Sequence, residues 1–174
     1  MAHQEKYIEI KEITYCDNTK KTYVTLIDNS SIELKYATHL VYEGAFGITK
    51  KFLNSINPKL KEYVPCHHVL YLKEDKILHY TGGDNLNSKE AEVIIDTINN
   101  FKKGALGKMF MIVHSNNDTN ENIDKRCKEI IGQKKYNLFN NNCEDIVYYC
   151  LTGKKKSKQR EKIFKAIISY LKKK

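Results

Sequence analysis

The chain has 174 residues and a formal net charge of +9; hydrophobic residues make up 41% of it and charged residues 29%. This size and composition fit one domain with a hydrophobic core, with or without an extension, and not two full domains. Because no run of about 18 apolar residues occurs and the N-terminal segment is polar, we expect no membrane-spanning helix and no signal peptide, and an intracellular, cytoplasmic protein.

The first half of the chain has mostly strand character. Residues 7–42 alternate apolar and polar side chains between polar turns, which predicts a three-strand meander. Apolar residues spaced over 48–56 predict a short helix that ends before Pro58. Residues 66–81 return to strand character, and residues 73–75 are expected to form the three-residue loop of a hairpin.

The second half is predicted to be mainly helical. A capping box at 87–90 predicts the start of a helix that ends at Gly104. Met109–Val113 is a candidate buried strand, and a further helix is expected over residues 119–132. The apolar face of the first of these helices comprises Ile94, Ile95, Ile98 and Phe101.

A short helix is predicted to begin at Cys143, where an asparagine-rich loop gives way to apolar residues at helical spacing, and to end at Gly153. At a helix N-terminus, unpaired N–H groups and the positive end of the helix dipole stabilise a thiolate. We therefore expect the pKa of the Cys143 thiol to be lowered from its ordinary value. This makes Cys143 the candidate nucleophile.

The cysteines form an odd-numbered, scattered set without any C-x-x-C pair. This pattern favours reduced thiols over a disulfide framework, and it gives little support to a structural zinc site. We expect neither a metal nor another cofactor. The five cysteines are Cys16, Cys66, Cys127, Cys143 and Cys150.

Two histidines of the predicted hairpin, His67 and His79, are twelve residues apart. If opposed residue numbers sum to an even value, as a loop at 73–75 requires, both imidazoles project from one face of the sheet and His68 from the other. Such a pair is suited to act as a base for a thiol and an orienting partner for that base. The alternative is that they are ordinary polar members of a sheet face, which is our interpretation of the other histidines.

Two motifs of the chain occur together, in this order, in a known family. His67-His68-Val69-Leu70-Tyr71, with His79 following, resembles an H-box, H-[HWY]-x-I-Y, and the second histidine that lies twelve residues after its first. Tyr136 and then Asn142-Cys143-Glu144 are similar to an NC-E motif and its preceding tyrosine. Both motifs are those of the lecithin:retinol acyltransferase-like family, and the resemblance covers about residues 61–160.

The resemblance implies an α+β fold. The family has a circularly permuted NlpC/P60 type of papain-like fold, in which an antiparallel sheet packs against helices, and the N-terminal meander is an extension to it. We expect three segments: the β-meander with its short helix over 1–60, the H-box/NC domain over 61–153, and a basic tail over 154–174.

The resemblance also implies acyltransferase or phospholipase A chemistry. The thiolate of Cys143 would attack a glycerophospholipid ester, with His67 as the general base and His79 as the orienting third member. The acyl group would then pass from the thioester to water, an amine or an alcohol, and a Cys–His pair is itself suited to these steps. The phospholipid is the expected acyl donor, while the acceptor and the oligomeric state stay open.

Further residues of the motifs have candidate roles. Backbone N–H groups at the helix start are suited to an oxyanion hole, and Asn142 either supports that hole or shapes its loop. Tyr71 and Tyr136 are candidate substrate contacts. The chain departs from the family in lacking a Gly-Asp pair before the H-box, and in having Cys143-Glu144-Asp145-Ile146 where many members have Cys-Glu-His-Phe.

The positive charge is concentrated in the tail. Residues 154–174 hold ten Lys or Arg and one acid, which leaves 20 basic and 20 acidic residues in 1–153. Apolar residues at helical spacing from Ile163 to Leu171 predict a basic amphipathic helix, which lies on an anionic membrane, docks on the core, or contacts RNA phosphates. The candidate membrane or polyanion contacts are Lys154, Lys155, Lys156, Lys158, Arg160, Lys162 and Lys165.

Two other functions are compatible with the sequence. A non-enzymatic protein, similar to the H-box/NC proteins of certain picornaviruses, would bind RNA or host partners, and the small size and basic tail suit it. A thiol peptidase or amidase would follow the usual chemistry of the wider NlpC/P60 group.

Overall fold

The computed structural model describes residues 5–43, 66–81, 90–104, 107–137 and 139–172. The predicted helix over 48–56 and the first residues of the predicted capping box, 87–89, lie outside this part of the chain. The described elements are β1 (Glu5–Cys16), β2 (Lys21–Leu26), β3 (Ser31–Glu33), β4 (Thr38–Glu43), β5 (Cys66–Lys73), β6 (Lys76–Thr81), β7 (Glu92–Thr97), α1 (Ile98–Gly104), β8 (Met109–His114), α2 (Asn120–Ile130), α3 (Cys143–Thr152) and α4 (Lys158–Leu171).

All of these strands join one antiparallel sheet in the order β3-β2-β1-β8-β4-β5-β6-β7. The expected α+β class, with an antiparallel sheet packed against helices, is confirmed. β8 lies between β1 and β4, and β4 pairs with β5 through neighbours such as Leu40 and Val69. The strands of the N-terminal segment and the H-box strand therefore belong to the same sheet.

Each face of the sheet carries its own hydrophobic core. On the helical face, Leu70 and Leu78 pack with α2 and α3 residues such as Ile123 and Val147. On the opposite face, Val69 and Ile77 pack with α1 and with residues of β1, β2 and β4. Because side chains alternate along a strand, β5 sends Leu70 to one core and Val69 to the other. We call these the helical face and the α1 face.

The predicted helix over 87–104 is wrong for its first half. Residues 92–97 form β7, and only Ile98–Gly104 is helical. The run Val93-Ile94-Ile95 is rich in β-branched residues, and it forms an edge strand on β6, where Ile94 lies opposite His79. The helical spacing of the apolar residues predicted the wrong element because β pairing with β6 outweighs it.

The hairpin of β5 and β6 has a different turn from the predicted one, but its side chains point to the predicted faces of the sheet. The register sets Leu70 opposite Leu78, so that opposed residue numbers sum to an even value, as predicted. An irregularity between Tyr71 and Lys73 then leaves a two-residue turn, in which Glu74 has a left-handed φ of 56°. The predicted three-residue loop is therefore wrong. The extra residue in β5, a bulge, keeps the sum of opposed residue numbers even, as predicted.

The other predicted elements of the second half are confirmed. β8 covers the predicted buried strand, and α2 begins after Thr119, whose side chain accepts a hydrogen bond from the Asn122 N–H. α3 begins at Cys143 and ends at Gly153, which has a left-handed φ of 73°. Among the described helices, none has the length and apolar character needed to span a bilayer.

Candidate active site

The thiol of Cys143 lies against the H-box strand. Its Sγ is 3.7 Å from the carbonyl oxygen of Cys66, and the backbone N–H of His68 also faces the sulfur. This end of β5 is paired with β4, with Tyr42 opposite His67. The sulfur therefore contacts the peptide groups on both sides of His67.

Burial dominates the titration of this thiol. Cys143 is 2% exposed, and burial raises the pKa of its thiol to about 12, although backbone N–H groups of His68 and Glu144 oppose this. At the helix start, the side-chain oxygen of Asn142 accepts the N–H groups of Glu144 and Asp145, each at 3.0 Å. The predicted lowering of the Cys143 pKa is therefore wrong, because desolvation outweighs a helix N-terminus that is already capped.

His67 and His79 contact each other, as the prediction of a shared face requires. Nε2 of His67 is 2.8 Å from Nδ1 of His79, and the two rings meet edge to face. Both imidazoles are buried, and the His67 ring packs on Tyr42 of the α1 face. This contact uses Nε2 of His67.

Asp96 extends the His67–His79 pair to a row of three side chains, and the sequence analysis did not predict its position there. Its Oδ2 is 3.5 Å from Nε2 of His79, an ion-pair distance, while its Oδ1 accepts the Thr97 N–H and the Asn100 amide, each at 2.7 Å. Burial lowers the pKa of His79, and the Asp96 carboxylate opposes that shift. The missed signal is an acidic residue in a strand beside the second histidine, which the predicted helix concealed.

Asn142 is the N-cap of α3. It forms a capping box with Asp145, and its amide Nδ2 donates to the Ser157 hydroxyl at 3.0 Å. Of the two predicted roles, these contacts assign loop support to the Asn142 side chain.

The two motif tyrosines have different surroundings. Tyr71 is buried in the core of the α1 face, and its hydroxyl donates to the Glu74 carbonyl at the turn end of β5; its role as a substrate contact stays a prediction. Tyr136 packs edge to face on Tyr80, with ring centroids 5.2 Å apart. Burial raises the pKa of Tyr136, and a negative charge on Cys143 would raise it further. Tyr136 is therefore the motif tyrosine that borders the thiol.

Four of the seven candidate polyanion contacts are bonded inside the protein. Lys158 and Lys156 bind the buried carboxylate of Glu5 at 2.6 and 3.3 Å, and these cations hold the pKa of Glu5 below its usual value against the effect of burial. Lys155 donates to the Asn141 side chain, and Arg160 binds Asp145. Lys154, Lys162 and Lys165 are exposed.

The tail helix is docked at its beginning and exposed further on. Ile163 is fully buried, whereas Phe164 is 43% and Ile168 is 50% exposed. Of the alternatives for the tail, docking describes the first turns of α4, and the exposed apolar residues lie beyond them.

A cavity of about 320 Å³ lies beside the start of α3. Cys66 and His68, whose peptide groups contact the sulfur, line it together with Glu144, the residue after Cys143. α4 forms part of its wall. The remaining lining residues are Tyr7, Val41, Glu43, Phe110, Lys158, Gln159 and Lys162.

Three other histidines form a second buried row on the helical face. His39 is 2.9 Å from His68 through Nε2 and 2.9 Å from His114 through Nδ1. His68 thus points away from His67, as predicted. Within the described residues, no group of three or more His, Cys, Asp or Glu side chains is arranged to hold a metal ion.

Comparison with known proteins decides the family. The sequence profile described as lecithin retinol acyltransferase matches residues 59–156, which is more than half of the chain. The chain belongs to this family. Mouse lecithin retinol acyltransferase is 30% identical to it over 82 residues, which are 45% of this chain and 36% of the mouse protein. The chain thus matches about a third of that relative's length, and no solved structure matches it significantly.

Proposed function

We propose that this member of the family is a cysteine-dependent acyltransferase or phospholipase A that acts on glycerophospholipid esters, on a circularly permuted NlpC/P60 type of fold. The observation that carries the proposal is the row His67–His79–Asp96, with a 2.8 Å contact between the imidazoles and a carboxylate behind them, beside a Cys143 thiol that lies against the peptide groups on both sides of His67. A thiol, a base and an orienting group in series are the parts of an acyl-transfer site.

The row also supports an assignment of the nitrogen that acts as the base. A carboxylate only accepts hydrogen bonds, so Asp96 favours the tautomer of His79 that carries its proton on Nε2. Nδ1 of His79 is then an acceptor, and it favours a proton on Nε2 of His67. His67 is left with a lone pair on Nδ1, which is the form required to take the thiol proton.

The reaction follows from this proton arrangement. His67 takes the Cys143 proton, and His79 with Asp96 stabilises the imidazolium. The thiolate adds to the ester carbonyl, the tetrahedral intermediate expels the lysophospholipid alkoxide, and that oxygen takes the proton from His67. Water, an amine or an alcohol then gives its proton to His67 and attacks the thioester, and Cys143 leaves as a thiolate that is reprotonated.

The cavity and the exposed half of α4 support a substrate from a membrane surface. Tyr7, Val41 and Phe110 give the cavity apolar walls beside the start of α3. Phe164 and Ile168 are exposed apolar residues on a basic helix, an arrangement suited to peripheral contact with anionic lipid. In the proposed function, Lys162 and Lys165 contribute charge to that contact.

The test is direct detection of the acyl-enzyme. The protein is incubated with phosphatidylcholine vesicles, and intact mass spectrometry with peptide mapping measures acylation. We expect one acyl mass on Cys143, which Cys143→Ala abolishes and Cys16→Ala, a change at a half-buried cysteine of β1, preserves. If the folded protein acquires no acyl mass while iodoacetamide still alkylates Cys143, the enzymatic proposal is wrong.

A second candidate is a non-enzymatic member that binds RNA or host partners, and the burial of Cys143, which is 2% exposed, favours it over a reacting thiol. In that case salt-dependent retention on RNA survives Cys143→Ala, and the combined change of Lys154, Lys162 and Lys165 to Ala removes it. Cleavage of amide substrates without any lipid acylation would instead indicate a thiol amidase.

A further inference from the structure

The polar residues around Cys143 are held by the segment that follows α3. The Ser157 hydroxyl accepts the Asn142 amide at 3.0 Å and donates to the Glu144 carboxylate at 2.7 Å. The Arg160 guanidinium binds both oxygens of Asp145 at 3.0 Å. Each neighbour of Cys143 in the first turn of α3 therefore has a partner in residues 157–160.

The charges of this turn make those partners necessary. Glu144 is 1% exposed and Asp145 is fully buried, so water does not solvate either carboxylate. Glu144 accepts two hydrogen bonds from the segment, from the Ser157 hydroxyl and from the Gln159 N–H at 2.9 Å. Buried carboxylates without such partners would destabilise the turn.

The same charges act on the thiolate. A negative charge on Glu144 raises the pKa of Cys143, because two like charges would be close together in a buried site. Ser157 and Arg160 bring donors and a positive charge to the carboxylates beside the sulfur. They hold the two carboxylates and the backbone of the turn, which sets the position of Sγ, and Arg160 offsets the charge of Asp145 two residues from Cys143.

We propose that Ser157 and Arg160 are positioning residues for Cys143, and that residues 157–160 form a clamp on which the reactivity of this thiol depends. The clamp's effect on acyl transfer rests on the proposed function, whereas its effect on the thiol does not. The basic character of the tail thus has a role at the site itself, apart from any contact with a membrane.

The test compares Arg160→Gln with Lys172→Gln, which removes the same charge from an exposed position just after the same helix. The rate of Cys143 alkylation by iodoacetamide is measured from pH 6 to 10, with peptide mapping to separate the other cysteines. We expect Arg160→Gln to slow alkylation at pH 7.5 about tenfold and to move the pH profile upward, since one unit of thiol pKa is a factor of ten in thiolate. Lys172→Gln is expected to match the unaltered protein, and Arg160→Lys to restore most of the rate.

Turnover of a soluble activated ester, which needs no membrane, gives a second readout. Arg160→Gln is expected to lower kcat with little change in KM, as a defect in the position of the nucleophile does. An alkylation profile of the folded Arg160→Gln protein equal to that of the unaltered protein would overturn the proposal, and so would an equal loss in Lys172→Gln.

Ser157→Ala decides the matter if Arg160→Gln does not fold. This variant leaves Glu144 its bond from the Gln159 N–H and leaves the Arg160 pair intact. We expect it to slow alkylation at least threefold, and an unchanged rate would overturn the clamp. The two proposals fail separately: absence of acylation in the unaltered protein removes the proposed function alone, whereas acylation of folded Arg160→Gln at the full rate removes the clamp alone.

Discussion

At the scale of residues, His79 is notable for having an aromatic base on one side and a carboxylate on the other. Its Nδ1 faces His67 and its Nε2 faces Asp96. Burial raises the pKa of Asp96, but the hydrogen bonds from Asn100 and Thr97 outweigh this effect, so the pKa lies below its ordinary value. Asp96 therefore stays ionised at neutral pH and serves His79 as a fixed acceptor.

Replacing Asp96 tests that role. Asp96→Asn removes the charge that stabilises a protonated His79, and an amide no longer defines its tautomer. We expect the rate of Cys143 acylation at pH 7.5 to fall by roughly tenfold or more, which corresponds to about 1.4 kcal/mol of lost stabilisation. Asp124→Asn, which alters an exposed ion pair on α2, is the control and should keep the full rate. Equal acylation rates in the unaltered protein, Asp96→Asn and Asp124→Asn would contradict a role of Asp96 in stabilising protonated His79.

Removing the N-cap of α3 should lower the free energy of unfolding by a measurable amount. Asn142→Ala leaves the N–H groups of Glu144 and Asp145 without their acceptor. We expect the free energy of unfolding, measured in urea, to fall by about 1–2 kcal/mol. Asn140→Ala, at an exposed loop position two residues earlier, should change it by less than about 0.5 kcal/mol. A loss of the same size in both variants would show that the cap is not responsible.

At the scale of elements, short-range signals predicted α2, α3 and β8 because their ends are determined locally. Thr119 and Asn142 cap their helices through contacts within three residues, and Gly153 supplies the left-handed residue that ends α3. β7 was missed because its state depends on β6, a partner that no local pattern in 92–97 reveals.

Substitutions of Gly153 test whether this local signal determines the end of α3. Gly153 has a φ of 73°, a conformation that a Cβ atom disfavours. We expect Gly153→Ala to lower the free energy of unfolding by about 1–2 kcal/mol. Gly153→Asn should lose less, because asparagine tolerates this conformation better. Thermal and urea unfolding measure both, and a stability order with the asparagine variant below the alanine variant would contradict the explanation.

Some features of the site could be predicted from the sequence, and others depend on contacts between distant segments. The pairing of His67 with His79 could be predicted because strand parity places them on one face. The pKa of Cys143 could not, because it depends on burial by segments far away in the sequence. The contacts of Arg160 were also hidden, since a lysine-rich tail gives no indication that one guanidinium binds a buried carboxylate.

At the scale of the whole molecule, buried neutral imidazoles couple stability to pH. Burial lowers the pKa of His39, His67 and His68 in the folded protein, and of His39 and His67 well below 6.5. The unfolded chain, with ordinary imidazoles, therefore binds more protons once the pH falls below about 6.5. Stability from this source is complete above that pH and is lost as the pH falls towards the folded pKa values.

This argument predicts an acid-sensitive fold. Between pH 6.5 and 5, the free energy of unfolding should fall by up to about 1.4 kcal/mol per pH unit for each such imidazole. Urea titrations at pH 8, 7, 6 and 5 measure it, and the values at pH 7 and 8 should be similar. A free energy of unfolding that stays constant down to pH 5 would show that these histidines are not held neutral.

The order of the sheet has a consequence for how the chain folds during its synthesis. β1 is made early, but its neighbour β8 comes later, and Lys156, which binds Glu5, lies 151 residues further on. At the rate of ribosomal synthesis, the buried carboxylate waits roughly ten to thirty seconds for its cations. Until β8 is made, β1, β2 and β3 can pair only as a ribbon whose β1 edge is open and able to pair with another nascent chain. Slow, late closure of the sheet is thus a property of this strand order, and chaperone dependence in the cell is its expected outcome.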